Sequence, residues 1–311
     1  MTPTLLIHGG AGTLRRDELG PVREAAHHEA LAAIARAGQR LLAQGASALD
    51  VVVEAVRLLE ECPLFNAGKG AVYTTAGTHE LDASVMDGPT QAAGAVTCVS
   101  RTRNPVLAAR EVLRRSPHLL FASAAADALA EQWGLEMVAP DWFGTPERLA
   151  QWQRTQTPTL DHDAARMGTV GAVALDVEGR LAAATSTGGM TAKAPGRVGD
   201  TPLIGAGCWA DARVAVSCTG TGEAFIRICA AHDVAARVAY GGAPLAEAAH
   251  AVVHEGLPSV GGTGGLIALA ADGRMALPIH SAGMYRAVAR VGAPVWTAIY
   301  ADEGLPPATD S

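Results

Sequence analysis

The sequence predicts an α+β fold in which mainly antiparallel sheets carry helices on their outer faces. Three observations lead there. The chain opens with an apolar run followed by two helical patterns. Strand patterns then recur next to one another rather than alternating one for one with helices. Finally, two strand patterns, 169–176 and 180–187, are separated only by the turn-like "VEGR".

In order along the chain, "TLLIHGG" reads as a short buried strand, and "PVREAAHHEALAAIARAGQRLLAQG" repeats apolar residues at three- and four-residue spacing before a glycine stop. A second helix starts after Ser47, whose hydroxyl can cap a free amide near Asp50, and runs through "VVVEAVRLLEE" to Pro63. "FNAGKGAVYTTAG" is loop-like. Strands return at "HELDASVMDG" and "AAGAVTCVS", then helical patterns at 105–115 and 122–133. Residues 140–168 hold prolines, many polar groups and little periodicity, and read as a flexible tether of a length that compact domains keep for a use. Beyond it the sequence predicts a strand at 212–218, helices at 223–239 and 244–255, and strands at 263–270 and 294–300.

Composition narrows the partners. A net charge of −7 supplies no basic footprint for nucleic acid or an anionic membrane, so a small molecule or peptide is expected. Five cysteines without C-x-x-C spacing suit reduced thiols. No basic segment leads into a long apolar one at the start, and no window reaches the length of a bilayer span, so a cytoplasmic protein is expected.

The junction of tether and strand, "ARMGTVGAVALD", carries the chemistry. By itself Thr169 reads as a β-branched strand starter. Preceded by Gly168 and a disposable segment, it also suits self-cleavage. Its Oγ can attack the Gly168 carbonyl, an N-to-O acyl shift gives an ester, and hydrolysis frees a new N-terminus at Thr169. An α-amine with a reference pKa of about 7.7–8.0 is partly neutral near pH 7 and can act as base for its own hydroxyl.

The company Thr169 keeps sharpens this. "IHGGAG", "LLEECPLFNAGKGAV", "LDASVMDG", "GTVGAVALD", "TSTGGMTAKAPGRVGD", "SCTGTGEAFIR", "GGTGGLIAL" and "GMYR" stand in order almost end to end. The sequence thereby resembles the plant-type L-asparaginase and isoaspartyl (β-aspartyl) peptidase family of N-terminal nucleophile (Ntn) hydrolases. The resemblance implies a four-layer αββα sandwich as a single domain over 1–311. It implies cleavage between Gly168 and Thr169 into chains 1–168 and 169–311, and a homodimer of such αβ units. The implied substrates are β-aspartyl dipeptides and L-asparagine, turned over through an aspartyl ester without a catalytic cofactor.

Carried onto this sequence, the family pattern makes Thr169 the nucleophile and Thr187 the hydroxyl beside it. Thr219 and Gly220 form the oxyanion hole. Asn66 supports the nucleophile, and Gly222 lines the pocket. Arg197 and Asp200 of "GRVGD" would hold the α-carboxylate and α-ammonium of the substrate, a fork and a counter-charge suited to that head. Without the resemblance, such a pair is more often a surface ion pair, and "TGTG" a turn at a helix entrance. The resemblance also implies a structural sodium ion held by backbone carbonyls of Leu59, Glu60, Cys62, Phe65, Ala67 and Lys69.

The same residues admit rival readings. His250 and His254 have a metal-ligand spacing, but H-E-x-x-H is absent, which favours a structural or surface role. "HGGAG" and "GGTGG" look like phosphate cradles, yet no G-x-G-x-x-G opens a helix and "AGKGA" has Gly where a P-loop needs Ser or Thr. An uncleaved scaffold of the same fold is the other alternative. The sequence departs from the family pattern at Ala192, where Asn is common, and at His280 and Ser281, where Asn-Thr is common.

Overall fold

The computed structural model describes residues 1–12, 14, 16–155 and 168–305. Strand β1 (Thr4–Gly12) leads into helices α1 (Arg16–Leu19), α2 (Pro21–Ala43) and α3 (Ala48–Glu61). The start of α3 follows the sequence reading: the Ser47 hydroxyl accepts from the Asp50 amide at 3.2 Å. Next come β2 (Leu81–Asp87), β3 (Ala93–Val99), α4 (Pro105–Arg115), β4 (Leu120–Ala122), α5 (Ser123–Gln132) and α6 (Pro146–Thr155). The second half runs β5 (Val170–Leu175), β6 (Leu181–Thr187), β7 (Cys208–Ala210), β8 (Val214–Gly220), α7 (Gly222–Arg227), α8 (Ala230–Ala239) and α9 (Leu245–Ala251). It ends with β9 (Gly264–Ala270), β10 (Met275–Ala276), β11 (Ile279–His280), β12 (Gly283–Arg290) and β13 (Trp296–Tyr300).

Eight strands form one sheet in the order β13-β12-β1-β5-β6-β2-β3-β4, antiparallel except where β4 joins β3. A second sheet runs β10-β9-β8-β7, with β11 also paired to β9. Leu6, Val173, Leu175 and Ala183 of the first sheet interlock with Ala215, Ile267 and Leu269 of the second. On the outer face of the first sheet, Leu31, Val52, Val56, Ala109 and Val112 cover Ile7, Ala172 and Ala184. On the outer face of the second, Val234, Ala249 and Val253 cover Val216, Leu266 and Ala268. The result is helix, sheet, sheet, helix, the expected αββα sandwich, and the sheets stack because the central strands β5, β6, β8 and β9 are buried almost throughout.

Three expectations change. Residues 140–155 are not a tether. They form a 3₁₀ turn (Pro140–Phe143) and α6, anchored by fully buried Phe143, by Trp152 near Tyr73, and by Gln151, which donates to the Thr191 hydroxyl at 2.9 Å. Polar and aromatic anchors leave no apolar stripe to read. The rest of the expected tether, 156–167, lies outside the described residues, and so do 306–311. The helix expected at 223–239 is broken at Cys229, which takes a left-handed conformation (φ 48°), and that expected at 244–255 passes into a π-helical turn at Val252–Gly256.

The sheet order decides where the chemistry sits. β5 lies between β1 and β6, with His8 opposite Gly171 and Ser186 opposite Val170. Thr169 is therefore delivered to the end of a central strand. The β1–β12 register shifts between His8 and Ala11, a bulge that turns Gly10 toward the junction. Gly10 has φ +113°, and a Cβ there would lie 2.9 Å from Gly168 Cα. Only glycine satisfies both demands.

Candidate active site

Thr169 is buried at the mouth of β5, and its hydroxyl donates to Thr187 Oγ at 3.2 Å. Thr187, the last residue of β6, donates in turn to the Gly168 carbonyl at 3.0 Å and accepts from the Gly189 amide at 2.9 Å. Asn66 Nδ2 also donates to the Gly168 carbonyl, at 2.7 Å, and to the Gly189 carbonyl at 2.6 Å, while its Oδ1 accepts from the Val72 amide at 2.9 Å. The carbonyl before Thr169 thus receives two side-chain donors, one from the loop after α3 and one from the end of β6. Two donors on one carbonyl polarise it and can hold negative charge that develops there.

On the second sheet, Thr219, the penultimate residue of β8, is fully buried and its Oγ accepts from the Ala11 amide at 3.1 Å, which leaves the hydroxyl hydrogen available to donate. Gly220 follows with φ +148°, pressed against the Thr263 carbonyl. Gly220 lines a small cavity with Thr169, Thr187, Arg197, Asp200 and Gly222, whereas Thr219 stands behind that wall. A Cβ on Gly222 would lie 3.0 Å from both Arg197 Nη2 and Asp200 Oδ1, so glycine lets these two groups approach. Asn66 reaches the site through Gly168.

Arg197 and Asp200 do not pair with each other. Arg197 makes a bidentate pair with Glu223, through Nε and Nη2 at 2.8 Å each. Asp200 is buried, and its Oδ2 has no hydrogen-bond partner among the described residues. Burial pushes its carboxyl up to about 7, opposed by the nearby Arg197 charge. A carboxyl held this way is short of a cation.

Several contributors escaped sequence reading. Glu60, expected only as a carbonyl ligand, is buried with Oε1 accepting from Ser186 Oγ at 2.6 Å and the Val106 amide at 3.0 Å, so it ties the end of α3 to β6 and the start of α4. Burial raises its carboxyl to about 8. Behind β5, His8 Nε2 lies 2.9 Å from Ser217 Oγ, which lies 2.8 Å from Thr185 Oγ; burial lowers this imidazole to about 3, so it is neutral. A charged residue inside an otherwise apolar helix end was the available signal for Glu60. For His8 the signal was a histidine in a buried strand.

In the loop 59–70, the carbonyls of Leu59, Cys62 and Glu60 accept from the amides of Cys62, Phe65 and Lys69 at 3.2, 3.2 and 2.7 Å, and each keeps a second lone pair. The Pro63 and Phe65 carbonyls point into one space, 2.6 and 2.7 Å from where a Gly70 Cβ would stand. Carbonyl oxygens with a free lone pair are the donors a hard monovalent cation takes. The rival readings find less support. The His250 and His254 rings stack at 4.3 Å rather than converge on a point, and the His/Cys/carboxylate trio whose ligand atoms do converge among the described residues is Glu24, His28 and Glu303. The glycines of "HGGAG" lie within β1, not at a helix start, and Lys69 Nζ donates to the Trp142 carbonyl at 2.6 Å. Ala192 adopts φ 56°, and His280 is exposed beside His254.

A threonine at the head of a central strand, inside stacked sheets with helical outer layers, defines a hydrolase of the N-terminal nucleophile class. Comparison with known proteins agrees: a family model described as Asparaginase matches residues 1–299. The chain is 56% identical over 310 residues to the isoaspartyl peptidase of Escherichia coli strain K12, covering 96% of this chain and 97% of that one. It is 38% identical over 300 residues to the isoaspartyl peptidase/L-asparaginase of Danio rerio, covering 94% of each. Against the plant-type L-asparaginase of Pyrococcus abyssi it is 40% identical over 243 residues, 73% of this chain and 76% of the relative. The chain belongs to this asparaginase family.

Proposed function

We propose that the chain cleaves itself between Gly168 and Thr169 and then hydrolyses β-aspartyl dipeptides and L-asparagine. The observation that carries this is the hydrogen-bonded line from Thr169 Oγ to Thr187 Oγ to the Gly168 carbonyl. The names of its relatives supply the substrate class.

In maturation, Thr169 Oγ attacks the Gly168 carbonyl carbon while its proton is relayed through the Thr187 hydroxyl to the Thr169 nitrogen. Asn66 and Thr187 donate to the resulting oxyanion. Collapse then breaks the Gly168–Thr169 C–N bond, with the protonated nitrogen leaving as the Thr169 amine and an ester remaining, which water hydrolyses to a Gly168 carboxylate and a free Thr169 hydroxyl. In turnover, that amine takes the Oγ proton, Oγ attacks the substrate side-chain carbonyl, and Thr219 with the Gly220 amide stabilises the tetrahedral oxygen. The protonated amine donates to the leaving ammonia or amino acid. Water then releases L-aspartate by the reverse assignment of roles. Arg197 would bind the substrate α-carboxylate and Asp200 its ammonium, which explains an unpartnered buried carboxyl beside a guanidinium.

The same reading assigns a structural sodium ion to carbonyls of Leu59, Glu60, Cys62, Phe65, Ala67 and Lys69, no catalytic cofactor, pairing of two αβ units, and a cytoplasmic location. No helix among the described residues is long and apolar enough to cross a membrane. The deciding experiment is intact-mass spectrometry at neutral pH with assays on asparagine and β-aspartyl dipeptides. Fragments dividing at Gly168 and Thr169, together with turnover, are expected. Thr169→Ala is expected to abolish both, and turnover retained in that variant would sink the mechanism.

A further inference from the structure

Gly168 lines two cavities. One is the recognition cavity of Thr169, Arg197 and Asp200, with a volume of about 10 Å³, room for roughly one water molecule. The other, about 70 Å³, lies on the opposite side and is lined by Leu19, Phe65, His27, Tyr285, Arg23 and Glu147 among others. Among the described residues, Gly168 alone lines both. It is the partition between them.

We infer that cleavage after Gly168 joins the two cavities, and that the larger becomes the subsite for the leaving amino acid of a β-aspartyl dipeptide, preferring an apolar or aromatic side chain. This rests on the function proposed above. The recognition cavity has no room for a second residue. A β-aspartyl dipeptide, unlike asparagine, carries one on the far side of the scissile amide, with its own side chain and carboxylate. Once the Gly168–Thr169 bond is broken, Gly168 becomes a chain end free to swing about its link to residue 167, and the hydrogen bonds of its carbonyl to Asn66 and Thr187 can exchange for others. The space beyond it has the matching chemistry. His27 stacks on Tyr285 at 4.4 Å and 7°, and Phe65 meets both rings edge-on at 5.8 and 5.9 Å, making a flat aromatic wall. At the rim Arg23, paired with Glu147, is half exposed and can meet a carboxylate.

The test uses fully cleaved protein, verified by mass, with asparagine, β-Asp-Gly, β-Asp-Leu and β-Asp-Phe as substrates. Wild type is expected to favour β-Asp-Phe and β-Asp-Leu over β-Asp-Gly by about tenfold in kcat/KM, the discrimination a modest apolar pocket supplies. Tyr285→Ala is expected to remove about tenfold from the Phe and Leu dipeptides and to change asparagine, whose leaving group is ammonia, by less than about threefold. A flat wild-type series overturns the subsite even if the variant fails to fold, and so does an equal loss on asparagine and dipeptides. Absence of turnover on all four substrates would instead remove the proposed function itself.

Discussion

Around Gly168 the polar atoms are matched: Thr169, Thr187, Asn66, Gly189 and Val72 form one connected set of hydrogen bonds at 2.6–3.2 Å. Across the same cavity the recognition groups are not. Asp200 keeps an oxygen without a partner among the described residues, and Arg197 spends two donors on Glu223, a carboxylate of the same protein. A satisfied network in a low-dielectric setting is rigid and preorganised, whereas a buried unpaired carboxyl is a liability until a ligand relieves it. On the proposed function, the contrast separates a half arranged for self-cleavage from a recognition half that a substrate would complete once Gly168 is released.

The largest blow to the matched half comes from Asn66→Ala, which deletes one of two donors on the Gly168 carbonyl. Cleavage followed by intact mass is expected to slow by about a hundredfold, the usual cost of one oxyanion donor. An unchanged rate would mean that Thr187 suffices and that the apparent matching is ordinary loop structure.

Asp200→Asn addresses the other half. It should leave the rate of cleavage at Gly168 unchanged while raising KM for asparagine by about tenfold to a hundredfold, the worth of a hydrogen bond to a charged group. Because burial has moved the Asp200 carboxyl to about 7, it is only partly ionised near neutrality. In wild type KM should therefore fall as pH rises through about 7, and that dependence should vanish in the variant. If cleavage slowed as well, the two halves would not be separable.

Glu60 belongs to the matched half by position yet resembles Asp200 in state, since its Oε2 is buried without a partner among the described residues. Its carboxyl is raised to about 8, above the unfolded value of 4.5, so the stability it contributes is fully present below pH 4.5 and lost progressively as pH rises to about 8. Glu60→Gln keeps an acceptor for Ser186 and Val106 without the charge. Thermal melts should show a higher Tm than wild type at pH 8 and above, and little difference at pH 4. Equal slopes between those pH values would show that Glu60 finds compensation when ionised.

What could be read from the chain follows this division. β5, β6 and the capped start of α3 were legible because their signals are local, and Thr169 and Thr187 end up adjacent because a short turn pairs their strands. The neighbour on the far side was not. β12, residues Gly283–Arg290, packs against β1 in the large sheet, yet its small alanines and buried Arg286 blur the alternation that marks a strand. Nor could periodicity show that Asp200 has no partner, that Glu223 claims Arg197, or that Gly10 abuts Gly168. Each is a relation between segments far apart in sequence, fixed only when the two sheets stack.

The loop from Thr187 to Asp200 joins the two halves, and one of its residues departs from the family pattern. Ala192 holds φ 56°, a left-handed conformation that costs an ordinary L-residue about 1–2 kcal/mol and that Asn tolerates better. Its amide donates to the Tyr73 carbonyl at 2.9 Å, so the loop cannot relax out of that conformation without losing the bond. Ala192→Asn is therefore expected to stabilise the protein by about 0.5–1 kcal/mol, an increase in Tm of about 2 °C for a chain of this size. KM for asparagine should stay within about twofold of wild type, because residue 192 does not line the recognition cavity. A gain in Tm accompanied by a clear rise in KM would show that strain at this position is used to hold Arg197 and Asp200 open for substrate, and the recognition half would then be unmatched by design of the loop and not merely for want of a ligand.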